Sequence, residues 1–386
     1  MTRLGELLNL VEDRVRVTDP AATKLISVKL HGKGAVQRTI GDGKSPKPFI
    51  GNRGRAGQFV FSRIWARRGA MALIPDELDG VIVTNEFPLF DIDNSLLDSR
   101  FLKYLVQTPR FHAELERISA GASGQNRVKE AAFLALEVDI PPVEEQRRIA
   151  AILEAADAIR SRRNEILARF DVLTTAVFHS AFADYESVVP LSDMVEEFRY
   201  GTSNKAGDGG HPTLRIPNVV GGALSTEDIK TVNVTPSELN RLTLRDGDLL
   251  FVRTNGNIHN VGRSAVFSST EVGDAGFGDR PWIYASYLIR ARLHRGYDPK
   301  FVAAYLQTGP GRAQLRERSK TSAGQFNINT ESLGSIVIPA APLAEQQAFA
   351  AHVARIDAQR ATVQRALAAD NELFASLQSR AFSGML

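Results

Sequence analysis

Hydrophobic positions recur every seven residues along two stretches of this chain, and the spacing predicts two long helices. In the first, Ile149, Ala156, Phe170 and Val177 fall on one heptad position, and Ile152, Ile159, Ile166 and Leu173 fall three residues later; only Arg163 and Ser180 break the pattern. So narrow a stripe predicts a coiled-coil seam rather than the broad apolar face of a globular helix. The second stretch keeps Phe349, Ile356, Val363, Leu373 and Leu377 but places His352, Gln359, Asp370 and Arg380 in the seam. It is the wetter of the two and is expected to lean on the first. Each helix opens on proline with glutamate close behind, which suits the positive end of the helix dipole, and Gly384 fits a C-terminal stop.

The two stretches are copies. Pro142, Glu145 and Gln146 meet Pro342, Glu345 and Gln346 at an offset of 200, and Asp157, Leu173 and Ala181-Phe182 meet Asp357, Leu373 and Ala381-Phe382 without a gap. Such a repeat sets the architecture before any motif does. The segments between the helices repeat more loosely. Gly57 to Arg63 matches Gly247 to Arg253 at an offset of 190, while Phe101, Gln107, Thr108, Leu115 and Gly124-Gln125 match Phe301, Gln307, Thr308, Leu315 and Gly324-Gln325 at 200. The chain therefore reads as residues 1–139, a first domain; 140–184, a helix; 185–337, a second domain; and 338–386, a second helix. Within the first domain, 25–30 and 59–61 read as strands, and 96–116 carries a helical pattern.

Composition narrows the field. With 386 residues the chain is too long for one core and long enough for two domains. No run of about 18 apolar residues predicts a membrane span, and the N-terminus lacks the apolar core of a signal peptide. The absence of cysteine excludes disulfides and thiolate-ligated metals and agrees with a cytoplasmic setting. The net charge of +3 is too small to argue nucleic-acid binding, but its distribution is informative. Residues 43–75 carry Lys44, Lys47, Arg53, Arg55, Arg63, Arg67 and Arg68 and no acid, with Trp65 among them. Residues 249–270 hold Arg253, Asn255, Asn257, His259 and Arg263, and a further basic cluster follows at Arg312, Arg316, Arg318 and Lys320.

This arrangement resembles the specificity subunits of type I DNA restriction–modification systems. The likeness covers essentially the whole chain and rests on the doubled Pro-Pro-x-Glu-Glu-Gln helix start, at Pro141 and again in modified form at Pro342, each preceded by a Gly-Gln segment. The second copy departs by two extra residues, Ala340-Ala341, between its prolines. The resemblance implies an α/β (α+β) fold: two globular target-recognition domains joined by two long antiparallel coiled-coil helices, a pseudo-two-fold internal repeat. It implies no catalysis and no cofactor in this chain. Two adenine-N6 methyltransferase subunits using S-adenosylmethionine, and two ATP-driven translocase–endonuclease (restriction) subunits, would be its partners, with double-stranded DNA as ligand.

Two unlike readers on stiff helices would read a split, asymmetric target. Arginine pairs bidentately with guanine, and asparagine or glutamine with adenine, while most other cationic contacts go to phosphate. Arg63 and Arg253, at the same place after the same strand, are the first candidates. Asn255, Asn257 and Arg263 could read the second half-site, and Arg53, Arg55, Arg67 and Arg68 serve the first. Gln125, Gln325 and Lys320 complete the DNA-facing set. Other chemistry fails: Gly41-Asp42-Gly43-Lys44-Ser45 has Arg38 where a phosphate-binding loop needs glycine. The histidines are not spaced as metal ligands, and nothing places a catalytic triad. Two rival readings remain. One is a specificity subunit of another methylation-based defence system; the other is a coiled-coil scaffold whose domains bind proteins, which predicts no salt-dependent binding to duplex DNA.

Overall fold

A computed structural model of the chain describes residues 1–39, 47–119, 127–322 and 324–386. The phosphate-loop-like stretch from Gly41 and the candidate Gln125 lie outside them. The chain divides into two compact units, Met1–Arg163 with Ala366–Leu386, and Asn164–Arg365. The two long helices are present as single elements, Val143–Phe182 and Leu343–Ala381. Each unit therefore holds one globular domain and half of each long helix. The second helix stops where Gly384, at φ 73°, takes the left-handed conformation that favours glycine. Among the described residues no helix is long and apolar enough to cross a membrane.

Each domain is built on a four-stranded antiparallel sheet of the same topology. In the first the order is Leu8–Val11, Leu89–Ile92, Phe59–Phe61, Met71–Leu73; in the second it is Val195–Tyr200, Leu288–Leu293, Leu249–Val252, Ser264–Val266. The Phe59–Phe61 strand is buried on both faces. Phe59 and Phe61 pack with Phe90 and Phe133 at ring separations of 4.5 to 6.3 Å. The ends of each domain zip together: Thr2–Arg3 pairs with Glu137–Val138, and Val188–Pro190 with Val337–Pro339. Each unit also carries a three-stranded sheet: Arg14–Val17, Phe49–Arg53 and Ile82–Val83 in the first, and Lys230–Val232, Ala206–Leu214 and Ile283–Tyr284, over its own apolar core, in the second.

The helical pattern at 96–116 divides into Ser99–Leu105 and Pro109–Ser119. Proline cannot continue the first helix, and the Thr108 hydroxyl accepts the N–H of Phe111 at 3.3 Å to start the second. Asp98 caps the first by accepting the N–H groups of Arg100 and Phe101. The same break recurs at Pro299–Gln307 and Gly309–Glu317, with Asp298 and Thr308 as caps.

The glutamine of the repeated motif ties these parts together. Gln146 is fully buried; its Oε1 accepts the N–H of Asp98 at 2.9 Å and its Nε2 donates to the carbonyls of Leu96 and Pro141, each at 2.9 Å. Gln346 does the same with the N–H of Asp298 at 2.9 Å and the carbonyl of Ala341 at 2.7 Å. An amide both donates and accepts, so it clamps the start of a long helix to the cap of a domain helix.

The seam corrects the heptad reading. Along the first helix the covered positions are Ile149, Leu153, Ala156, Arg160, Arg163, Leu167, Phe170, Thr174 and Val177, in steps of four then three. Ile159, Ile166 and Leu173 are 51%, 38% and 45% exposed instead. A seven-residue period fixes one seam position but leaves the partner either three or four residues on, and here Leu153 and Leu167 turn inward. The same shift puts His352, Gln359 and Arg380 at exposed positions, so these do not wet the second helix's seam. Asp370 does stay in it and pairs with Arg163. In the first unit the helices run antiparallel, with Arg148 bonded to the Leu386 carbonyl at 2.9 Å, Arg160 to Asn371 at 2.8 Å, and Arg163 to Asp370. In the second unit Phe178 and Phe182 of one helix meet Phe349 of the other.

Candidate nucleic-acid interface

Arg63 and Arg253 hold the same backbone position. Each leaves the end of the matched central strand, each donates its N–H across the sheet (to Glu86 at 3.0 Å, to Tyr287 at 2.9 Å), and each accepts from the segment before the last domain helix (Val128 and Ile328, both 2.9 Å). Their side chains meet different surroundings. The Arg63 guanidinium is ion-paired with Glu130. Burial pushes its pKa down; the Glu86 carboxylate opposes that and Arg127 adds to it. The Arg253 guanidinium lies 4.7 Å over the Tyr200 ring and donates to the Ser286 carbonyl at 3.4 Å.

Around Arg253 the structure gathers most of the second-domain candidates. The strand Thr254–Asn255 pairs with Gln325–Asn327, which pairs in turn with Lys320–Ser322. Lys320 and Gln325 are exposed on that hairpin, and the Thr254 hydroxyl donates to Gln325 Oε1 at 2.9 Å. Asn255 and Asn257 shape the loop itself, their side-chain oxygens accepting the N–H groups of Asn257 and His259 at 2.9 and 3.0 Å. Gly262, at φ 71°, turns the chain where an added Cβ would lie 2.4 Å from Leu315. That turn sets Arg263 beside the helix Gly309–Glu317. There Arg312 holds the carbonyls of His259 and Val261 at 2.8 and 3.0 Å, its pKa lowered to about 10 by burial and then by Arg263 and Arg316. Three arginines thus share one cradle, the field an anionic backbone would relieve.

The first-domain candidates divide into two groups at opposite ends of the strand Phe59–Phe61. Arg53 and Arg55 precede it: both are exposed, and Arg55 is 3.8 Å from Asp13. Arg67 and Arg68 follow it on the short 3-10 helix Ala66–Arg68, where the Arg68 guanidinium lies 5.3 Å from the half-exposed Trp65 ring. The acid-free window of the sequence is not acid-free in space. Glu86 accepts from Arg127 at 2.8 Å, from the Ser62 hydroxyl at 3.2 Å and from the Ile64 N–H at 2.7 Å, and Glu130 takes Arg63. Sequence reasoning missed both carboxylates, and it missed Tyr200 and the exposed Tyr287. The available signal was Tyr200 ending a strand just before Gly201.

Comparison with known proteins places this geometry. Residues 55–168 match the family model described as the type I restriction modification DNA specificity domain. Over 315 residues, 75% of this chain, the sequence is 30% identical to the EcoKI specificity subunit of a type I restriction enzyme from Escherichia coli K12. It is 26% identical to the StySPI specificity subunit of Salmonella potsdam. The aligned part spans 66% of each relative's length, just under two thirds. The type I restriction–modification S subunit from M. genitalium superposes with a TM-score of 0.53 at 15% identity, over 99% of this chain and 95% of that one. A chain from a solved type I R-M system superposes with a TM-score of 0.52 at 19% identity, over 100% and 97%. At those identities the structures speak for the fold.

Proposed function

Because the chain belongs to the family of type I restriction–modification specificity subunits, we propose that it reads a bipartite, asymmetric sequence in double-stranded DNA and docks the subunits that act on it. The observation that carries this reading is the doubling of one reader position, Arg63 and Arg253, on two domains that alternate with two long helices in one gapless register. Residues 1–139 and 185–337 are the two readers; 140–184 and 338–386 are the spacers between them. The first long helix has 40 residues, about 60 Å at about 1.5 Å per residue, or about 17 base pairs at about 3.4 Å each. Half-sites of a few pairs then leave an unread gap between them.

In the second half-site, Arg253 and Gln325 read bases, and Arg263 and Lys320 hold phosphate. Asn255 and Asn257 read through the loop they build. In the first, Arg53, Arg55, Arg67 and Arg68 grip the backbone and Arg63 reads once Glu130 releases it; Gln125 joins them. The exposed Ile166, Val172 and Leu173 on the first long helix suit a helix of a partner, here the adenine-N6 methyltransferase subunits. Two of these and two restriction subunits supply all the chemistry in the cytoplasm, and this chain supplies none.

The test is to sequence N6-methyladenine in a host carrying this subunit and its methyltransferase. A split motif is the expected result; one uninterrupted motif overturns the reading. Inserting seven residues, two helical turns, into the first long helix is expected to widen the gap by about three base pairs and leave both half-sites unchanged.

A further inference from the structure

The first unit holds a groove of about 370 Å³ beside the last turns of the second long helix, walled by Leu105, Phe111, Leu136, Val138, Gln378 and Phe382. At an offset of 200 the second unit keeps Ile336, Ile338 and Phe182 for Leu136, Val138 and Phe382, has Gly311 for Phe111, and brings two rings together across the matching place. Tyr305 stands for Leu105 and Phe178 for Gln378, their rings 5.6 Å apart. Gln314, standing for Glu114, donates to the Val337 carbonyl and accepts the Val337 N–H, both at 3.0 Å, so the outer edge of that strand is capped. A glutamate at 114 cannot donate to a carbonyl; it pairs with Arg117 at 2.8 Å, and the edge at Glu137 has no such amide partner among the described residues. What the groove lacks is thus stated by the other copy: a ring pair between the positions of Leu105 and Gln378, and one residue's worth of amide paired to the strand edge.

The rim adds charge. Glu114, Glu137 and Asp139 stand where the second unit has Gln314, Val337 and Pro339; Arg110 also lines the groove, Glu114 pairs with Arg117, and the exposed Glu137 lies 3.9 Å from Arg3. Asp139 is exposed and has no ion pair among the described residues. We propose that this groove receives an extended peptide of a partner protein. The peptide inserts one aromatic side chain between Leu105 and Gln378, pairs its backbone with Glu137, and sets a lysine or arginine beside the aromatic against Asp139 and Glu137. Strand-edge pairing with a pocket for one side chain is an established way to bind a peptide. The proposal does not depend on the DNA reading above.

The test is isothermal titration of the full chain with the peptide Gly-Arg-Phe-Arg-Gly, capped at both ends. At least tenfold tighter binding than to Gly-Asp-Phe-Asp-Gly or Gly-Arg-Ala-Arg-Gly is expected. The double substitution Leu105→Tyr with Gln378→Phe copies the second unit's plug; it should raise Tm and weaken binding more than tenfold. Glu137→Lys with Asp139→Lys, which leaves the core untouched, should reverse the preference toward the aspartate-flanked peptide. Equal affinity for the phenylalanine and alanine peptides, undiminished binding to the plugged variant, or no heat from any peptide at millimolar concentration would each overturn the proposal.

Discussion

The two units solve one construction problem twice, and they differ in where they spend charge. At the turn before the central strand, Gln58 Oε1 accepts the N–H of Arg55 at 2.8 Å and its Nε2 reaches Asp91 at 2.7 Å. At the matching place Asp248 accepts the N–H of Arg245 at 2.8 Å and pairs with Arg292 at 2.7 Å. The backbone task is kept, and the side chains exchange a neutral donor for an acid and an acid for a base. In the seam the difference runs the other way. Arg163 and Asp370 form an ion pair in the first unit, whereas the offset of 200 puts Val363 and Phe170 at those positions in the second. The clamp, Gln146 and Gln346, keeps the same residue for the same work in both, as do the helix caps Asp98 and Asp298 and Thr108 and Thr308. What is held fixed is what the backbone needs; what drifts is what a side chain alone decides.

The clamp therefore gives the largest expected effect. Gln146→Leu removes three hydrogen bonds and leaves buried partners unpaired, at about 1–3 kcal/mol for each orphaned group. A loss of about 4 kcal/mol is expected. Gln346→Leu removes two bonds and should cost about 1 kcal/mol less. Equal losses in urea unfolding would mean that the extra bond to the Leu96 carbonyl contributes nothing.

Next comes recognition. Arg253 has an aromatic ring and a carbonyl for neighbours, and Arg63 has a carboxylate. To reach DNA, Arg63 must first leave Glu130. Arg253→Ala is expected to weaken cognate binding by about 1–3 kcal/mol, tenfold or more, and to relax the second half-site. Arg63→Ala should do less, and Glu130→Gln should strengthen binding at the first half-site. Methylation assays on half-site variants check this; a larger loss from Arg63→Ala than from Arg253→Ala breaks the comparison.

The long helices, the doubled domains and the equivalence of Arg63 with Arg253 were all legible in the sequence, because repeats and hydrophobic periods are linear signals. The face of the seam was not. Ile152 and Leu153 are both apolar, and only packing against the domain decides which turns inward. The neutralised surroundings of Arg63 were illegible for another reason. Glu86 and Glu130 come from distant segments, and no window around Arg63 contains them. The stacking of Arg253 on Tyr200 joins strands 53 residues apart in the chain and left only a faint mark.

The seam offers a smaller test. The Arg163–Asp370 pair is only partly exposed, with side chains 33% and 19% accessible, so its attraction and its desolvation cost nearly cancel. Asp370→Ala alone strands the Arg163 charge and should cost about 1–2 kcal/mol. Arg163→Val with Asp370→Phe copies the second unit and should be neutral or stabilising by about 1 kcal/mol. A double variant less stable than the single one would mean that the ion pair carries net stability which the apolar pair in the other copy does not replace.

The smallest effect separates the units by pH. Glu197 in the second sheet pairs with Arg199 and the buried Arg290, and its pKa is held below the ordinary 4.5, first by the hydrogen bond from Arg199 and then, against the cost of burial, by the charges of Arg290, Arg199 and Arg292. Asn9 holds the matching place in the first sheet, opposite Asp91, and cannot titrate. A carboxylate whose pKa is lower folded than unfolded stabilises the fold above the unfolded value. That contribution is lost as pH falls through the lower, folded value. With Glu197 about a third exposed, the loss should be about 1 kcal/mol or less. Hydrogen exchange at the strand Val195–Tyr200 is therefore expected to quicken below pH 4.5, relative to Leu8–Val11, after correction for the intrinsic rate. Glu197→Gln should flatten that dependence; an unchanged slope in the variant would assign the acid sensitivity to other carboxylates of the second unit.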